Sequence, residues 1–271
     1  MPLPSSGQIT LNQIHVEAGG SSGTQVKLSD ADVRDIIGKG SGAQNAFSEY
    51  RGQSAAAPTA SYAGRTLTTG NGFPTGNVTL SSGSKLVVVA LALAGSGNTF
   101  CSVGGTNATL AAKVDTAPTG GVWAAALTSA VYYIVTSASG STQITGNGGS
   151  GRSVAHVWEI TGYNSSTPTA TATAQNTDNT SFSKTISLST QYNGITIGSG
   201  ITEDTNPTGS VTVSNSDSLQ QIDLEGATNH FTWRDEGTSS GTTSYNADQN
   251  NPASNIVTGS TIMQLSAVHF K

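Results

Sequence analysis

The hydrophobic pattern of residues 61–271 is that of short β-strands separated by turns. Lys85–Ala94 is a continuous apolar run, which is typical of a strand buried on both faces. Ser153–Ile160 alternates, with one wide apolar face. Roughly ten to twelve such strands without a helical period predict a mostly β fold. We expect a single large antiparallel β-sandwich, jelly-roll-like, preceded by a short N-terminal segment with small helices.

The first 52 residues follow a different pattern, with two short helix signals. Thr10 and Gln13 have the spacing of a capping box, and the pair Gly19-Gly20 ends this first helix. A similar cap at Ser29 predicts the start of a second short helix. Helices this short do not stand alone in water, so the segment must pack on something.

Three partners could bury the apolar side chains of this N-terminal segment: the following domain, another copy of the segment, or a different protein. The small, polar stretch 53–60 has linker composition, which weakens the first option. We therefore predict an attachment segment at 1–52, a linker at 53–60 and a β-sandwich domain at 61–271. The predicted docking side chains are Ile9, Leu11, Ile14, Leu28, Val33, Ile36, Ile37, Phe47 and Tyr50.

Charge and composition argue against several classes of partner. The 271-residue chain has only 11 Lys and Arg and a net charge of −5, so we expect no nucleic-acid binding. No apolar stretch reaches the ~18 residues of a membrane span, and we expect no signal peptide. The single cysteine, Cys101, excludes an intramolecular disulfide and a cysteine-built zinc site.

The motifs that match catalytic signatures lack the structural context that the chemistry needs. Gly19–Gly23 matches a hydrolase string but follows a predicted helix, not a core strand. Gly146–Gly151 matches a dinucleotide-binding string but precedes a strand, not a helix. The histidines are far apart, and carboxylate pairs such as Asp235-Glu236 lie in polar surroundings. We expect no catalytic residue, no metal site, no cofactor and no enzymatic activity.

One aromatic stretch is a candidate for contact with a glycan. Trp233 stands in a polar setting beside Phe231 and Arg234, and sugars stack on exposed aromatic rings. The alternative is that Trp233 packs inside the sandwich or at a subunit interface, and this alternative is favoured.

Several motifs occur in order along the N-terminal segment: Ser6–Ile14, Glu17–Gly20, Leu28–Arg34, Ile37–Lys39 and Ala46–Gly52. Together they resemble a leader found in tailed-bacteriophage virion structural proteins of the tail-fibre type. The resemblance implies other virion proteins as partners, a location in the virion after assembly in the host cytoplasm, and a homo-oligomer, of which a trimer is one form.

The β region also resembles a sandwich module that is widespread in bacteria and phages. The features that carry this resemblance are Leu86–Leu93, the turn at Val103–Gly105, Val131–Val135, Ala155–Ile160 and Leu265–Val268.

The leading hypothesis is a non-enzymatic tail fibre or tail-attached appendage that docks through its N-terminal segment. The alternatives are a capsid decoration or head-fibre protein, a free carbohydrate-binding module, and a polysaccharide-degrading enzyme.

Overall fold

The computed structural model describes residues 3–30, 33–34, 36–37, 39–40, 42–52, 57–70, 72–95, 100–115, 127–149, 151–176, 183–191, 193–203, 210–224, 228–237, 241–250 and 262–271. Its helical elements are α1 (Leu11–Glu17) and a 3-10 helix (Phe47–Tyr50). Val33 and Arg34 are also helical. The remaining regular elements in these ranges are β-strands, and every strand pairing among them is antiparallel. The predicted mostly β, antiparallel fold is therefore confirmed.

The strands divide into two consecutive sets. The first set is β1 (Thr59–Thr68), β2 (Gly76–Leu80), β3 (Lys85–Ala94), β4 (Cys101–Val103), β5 (Thr106–Asn107), β6 (Thr109–Asp115), β7 (Leu127–Thr136), β8 (Gly140–Gly146) and β9 (Ser153–Thr161). The second set is β10 (Ala170–Asn176), β11 (Ser183–Thr190), β12 (Ile195–Glu203), β13 (Ser210–Val213), β14 (Ser218–Leu224), β15 (Thr228–Glu236), β16 (Gly241–Asn250) and β17 (Ile262–Phe270).

Each set forms its own two-sheet sandwich. In the first, a sheet of order β1-β9-β3-β7-β6 faces a sheet of order β2-β8-β4-β5, and a core that includes Val89, Tyr132 and Ile144 fills the space between them. In the second, a sheet of order β10-β17-β12-β15-β14 faces one of order β11-β16-β13, around a core that includes Trp233 and Tyr245.

The two sandwiches pack against each other through their five-stranded sheets, which gives a stack of four sheets. Strand β3 lies in the middle and is buried along its whole length, as its apolar sequence predicts. Val87 and Val89 face the core of the first sandwich. Leu86 and Val88 face the second sandwich and contact residues that include Ile195. The structure therefore has two sandwiches where the sequence predicted one. The strand orders do not confirm a jelly roll.

The structure shortens the predicted linker at 53–60. Residues 53–56 lie outside the described ranges, but β1 begins at Thr59. Ala60 is buried in the layer between the two sandwiches. Thr59 and Ala60 therefore belong to the sheet and not to a linker. The small side chain of Ala60 fits where the two sheets come close.

Candidate functional site

Helix α1 of the N-terminal segment begins with the predicted capping box. The Gln13 amide donates to Thr10 Oγ1 at 3.2 Å, and the Thr10 amide donates to Gln13 Oε1 at 2.7 Å. These two bonds satisfy donors that the first turn of a helix leaves without a partner. The predicted first helix and its cap are confirmed.

Of the predicted second helix, Val33 and Arg34 are helical, and the Arg34 amide donates to the Asp30 carbonyl oxygen at 3.0 Å. Residues 31, 32, 35 and 38 lie outside the described ranges. The described part of this region is held by Arg34, whose side chain is buried. Its guanidinium donates to the carbonyl oxygens of Ser29 at 3.1 Å, Gly40 at 3.0 Å and Ala43 at 2.5 Å. One charged group thus links the Ser29, Gly40 and Ala43 carbonyl oxygens, since a buried guanidinium needs acceptors.

The N-terminal segment has a small apolar core of its own. It is built from Leu3, Ile9, Ile14, Ala18, Val33, Ile36 and Tyr50. Leu28 and Ile37 pack partly against this core, and Leu11 is half-buried.

This core corrects the predicted docking surface. Ile9, Ile14, Val33, Ile36 and Tyr50 were predicted to contact another protein, yet in this conformation they contact one another and are not available to a partner. The sequence argument failed because it counted apolar residues without seeing that the turns of the segment bring them together.

Two large apolar side chains of the segment do face solvent. Phe47, which was among the predicted docking residues, is 40% exposed, and Val16 is 42% exposed. Val16 was not predicted. The signal was present in α1, because Ile14, Glu17 and Ala18 lie on its buried face and position 16 does not. These two side chains define the candidate attachment surface.

The N-terminal segment meets the sandwiches at the chain's last residue. Lys271 is buried, and its Nζ donates to the Glu17 carbonyl oxygen at 3.3 Å. Asn164 Nδ2 donates to the Ala18 carbonyl oxygen, also at 3.3 Å. Burial lowers the pKa of Lys271, and the nearby Glu17 carboxylate opposes this shift. The contact between segment and sandwiches is therefore polar and local.

The position of this contact distinguishes the two ends of the stack. We call the end at which residues 3–52 pack the N-terminal pole; β9 and β17 both finish there, at Thr161 and Phe270. Antiparallel pairing places the last residues of β3, β6 and β12 at the other end, the opposite pole. Strands β7 and β17 begin at this opposite pole. The connections that precede them, 116–126 and 251–261, lie outside the described ranges.

The structure overturns the predicted glycan contact. Trp233 and Phe231 are fully buried in the core of the second sandwich, so neither ring can stack on a sugar. Arg234 donates to the Ala60 carbonyl oxygen at 2.7 Å and pairs with Glu236 at 3.1 Å. Trp233 instead packs inside the sandwich, as the alternative interpretation expected.

Two glycines explain why these rings are buried. A Cβ at Gly198 would lie 2.1 Å from the Trp233 ring, and a Cβ at Gly200 would lie 2.1 Å from the Phe231 ring. Each ring covers the glycine opposite it on the neighbouring strand β12. The alternating glycines in Ile195–Glu203 were the sequence signal that could have located both aromatics.

Three of the four histidines are buried and held neutral. Burial lowers the pKa of His156 to about 3 and those of His230 and His269 to about 4. His156 Nδ1 lies 2.9 Å from the Tyr62 hydroxyl, and His230 Nδ1 donates to the Ala92 carbonyl oxygen at 3.1 Å. The first bond joins the neighbouring strands β9 and β1, and the second crosses from β15 to β3 of the other sandwich, so both are structural.

The acidic residues do not gather into a metal-binding group in the part of the chain that the structure describes. No group of three or more His, Cys, Asp or Glu side chains there could hold a metal ion. Asp235 accepts a bond from the Tyr245 hydroxyl at 2.6 Å, and burial raises its pKa. Two further acidic residues, Asp204 and Glu225, lie outside the described ranges.

Within the described ranges, no helix has the length and apolarity to cross a membrane. Comparison of the chain with models of protein families, with curated proteins and with solved structures finds no match. The function therefore has to be argued from the geometry of the chain itself.

Proposed function

We propose that this chain is a non-enzymatic structural component of a tailed-phage virion, a tail fibre or tail-attached appendage docked through its N-terminal segment. The observation that carries the proposal is the position of that segment. The described part of the segment whose motifs resemble a virion leader contacts one pole of a four-sheet stack, through the Glu17 and Ala18 carbonyl oxygens, and the other pole lies at the far ends of the strands.

The attachment surface in this proposal is the exposed apolar pair Val16 and Phe47. Protein interfaces are enriched in aromatic side chains that are buried only in the complex. The segment is anchored to the stack by the Glu17 and Ala18 carbonyl oxygens, so docking would hold the whole stack in a fixed direction. The opposite pole would then face outward, toward the host.

Copies of the chain are proposed to assemble as a homo-oligomer on the particle, a trimer being the form that the leader resemblance suggests. Its partners are other virion proteins, and the chain reaches the virion after synthesis in the host cytoplasm. Mass measurement of the purified full-length protein tests this part separately from attachment.

The attachment test uses a phage that encodes this chain and compares purified particles by quantitative mass spectrometry. In the variant Val16→Ser/Phe47→Ser, the amount of the chain per particle should fall at least tenfold. The matched control is Leu67→Ser, which changes a side chain 45% exposed on β1, and it should leave incorporation unchanged. Because these side chains are exposed, the fold should survive, and circular dichroism of the purified variants checks this.

Three results would each contradict part of the proposal. Absence of the wild-type chain from purified particles would exclude a virion protein. Normal incorporation of the double variant would exclude this attachment surface. Release of reducing ends from host polysaccharide by the purified protein would contradict its non-enzymatic character.

A further inference from the structure

The two sandwiches have the same strand topology. If the strands of each set are taken in chain order, with β4 and β5 together matching β13, the order β1-β9-β3-β7-β6 becomes β10-β17-β12-β15-β14. The smaller sheets correspond in the same way, since β2-β8-β4 becomes β11-β16-β13. Both sheets of one sandwich are thus reproduced, strand by strand, in the other.

The pairing registers and the buried faces also correspond. In the first sandwich Leu86 pairs with Ile160, and in the second Ile195 pairs with Phe270. All four side chains point into the layer between the two sandwiches. A one-residue slip in either register would turn these side chains to the other face, so the agreement extends to individual positions.

Equivalent residues meet across this layer. Leu86 and its counterpart Ile195 belong to one apolar cluster near the N-terminal pole. Six residues further along each strand, Ala92 and its counterpart Ile201 belong to another cluster. Strand β7 packs on β17, and β9 packs on β15. Since β15 is the counterpart of β7 and β17 is the counterpart of β9, exchanging the two halves turns one of these contacts into the other. These contacts relate the two halves by an approximate twofold rotation about an axis that runs between β3 and β12, parallel to them.

We infer that the two sandwiches are two copies of one structural unit, and that the layer between them is a self-recognition surface for which the partner is a second copy of the unit. The surface has the anatomy of a permanent interface, with an apolar centre and hydrogen bonds that cross it. Trp158 Nε1 donates to Thr232 Oγ1 at 3.0 Å, and Ser266 Oγ donates to the Ser129 carbonyl oxygen at 2.8 Å. Such a surface holds its halves together without the connecting peptide 162–169.

The duplication is invisible in the sequence. No residue of Leu86–Ala94 is identical to its counterpart in Ile195–Glu203. The two strands share the alternation of their side chains between the two faces of the sheet, and each is the central strand of its five-stranded sheet. The inference therefore rests on arrangement, independently of the proposed virion function.

The test cuts the connection in the full-length protein. A short protease recognition sequence is inserted between Ser166 and Thr167, in the connection between β9 and β10, and the folded protein is cleaved. The two fragments should co-elute in size-exclusion chromatography at the volume of the uncut protein, even after dilution to about 1 μM. After unfolding in urea and dilution, they should re-form the same one-to-one complex.

A matched control carries the same insertion without cleavage and reports any damage from the insertion itself. Elution of the two fragments as separate folded species in native buffer would overturn the inference. So would two separate unfolding transitions in the uncut control, since units held by a permanent interface unfold together.

Discussion

Ser129 and Ser199 are joined across the two sandwiches: Ser129 Oγ donates to the Ser199 carbonyl oxygen at 2.9 Å. Ser199 Oγ in turn donates to the Leu91 carbonyl oxygen, also at 2.9 Å. Both hydroxyls are buried, so each bond spares a polar group from being buried without a partner. Together with Ser266, these residues form a chain of bonds that alternates between the halves and fixes their relative position.

We expect Ser199→Ala to lower the free energy of unfolding by about 1 kcal/mol, since one buried hydrogen bond is lost and no charge or large volume changes. Urea unfolding measures this directly. The matched control is Ser187→Ala, which removes a hydroxyl bonded to Ser244 on the exposed face of β11. An equal loss of stability in both variants would show that the buried position has no special role.

The bond between Trp158 and Thr232 allows a double-mutant cycle. Thr232→Val removes the acceptor of Trp158 Nε1 and leaves a buried N–H without its partner, which costs about 1–3 kcal/mol. Trp158→Phe removes that N–H. We expect the double variant to be less destabilised than the sum of the single changes, by about 1 kcal/mol. Additive losses would contradict a direct interaction.

Gly198 is predicted to be intolerant of any side chain. Gly198→Ala should cost about 2 kcal/mol or more, because the added methyl group would occupy the space of the Trp233 ring. The matched control is Gly70→Ala, where nothing lies within 4 Å of the added Cβ, and it should change stability by less than about 0.5 kcal/mol. Similar melting temperatures for the two variants would contradict the burial of Trp233.

The buried histidines predict how stability depends on pH. Their pKa values of about 3, 4 and 4 lie below the ordinary value of 6.5, so between about pH 4 and pH 6.5 these three histidines bind more protons in the unfolded chain than in the folded chain. The stabilisation that comes from keeping these histidines neutral is complete above pH 6.5. The free energy of unfolding should fall as the pH falls through this window.

The variant His230→Asn isolates one of these protons. It keeps an N–H that can reach the Ala92 carbonyl oxygen but does not titrate. Near pH 5, its free energy of unfolding should depend on pH less steeply than that of the wild type, by about 1 kcal/mol per pH unit. Parallel curves from urea unfolding at several pH values would contradict a neutral buried His230.

The lone cysteine should be unreactive in the folded protein. Cys101 is fully buried, and burial raises its pKa to about 12, so almost no thiolate exists at pH 8. A thiol reagent should label it only in denaturant. Rapid labelling in native buffer would place Cys101 at an accessible site.

The sequence predicted the elements whose signal is local. The cap at Thr10 and the fully apolar strand Lys85–Ala94 are both where the pattern placed them. A capping box needs only neighbouring residues, and a strand buried on both faces has no polar alternation to obscure it.

The sequence could not predict features that depend on distant pairing. Trp233 looks exposed among polar neighbours, yet its surroundings are set by Gly198 on another strand and by Tyr245 across the sandwich. The division into two sandwiches was missed for the same reason, because β3 and β12 share a position but no identical residue. The apolar core of the N-terminal segment was not predicted, because Tyr50 packs against residues far from it in the chain.

The most direct test of the central claim is a cryo-electron microscopy map of intact particles of a phage that encodes this chain. The account predicts that the N-terminal pole, with Val16 and Phe47, contacts another virion protein while the opposite pole points away from the particle. A map that has the opposite pole against the particle, or that leaves Val16 and Phe47 in solvent, would contradict it.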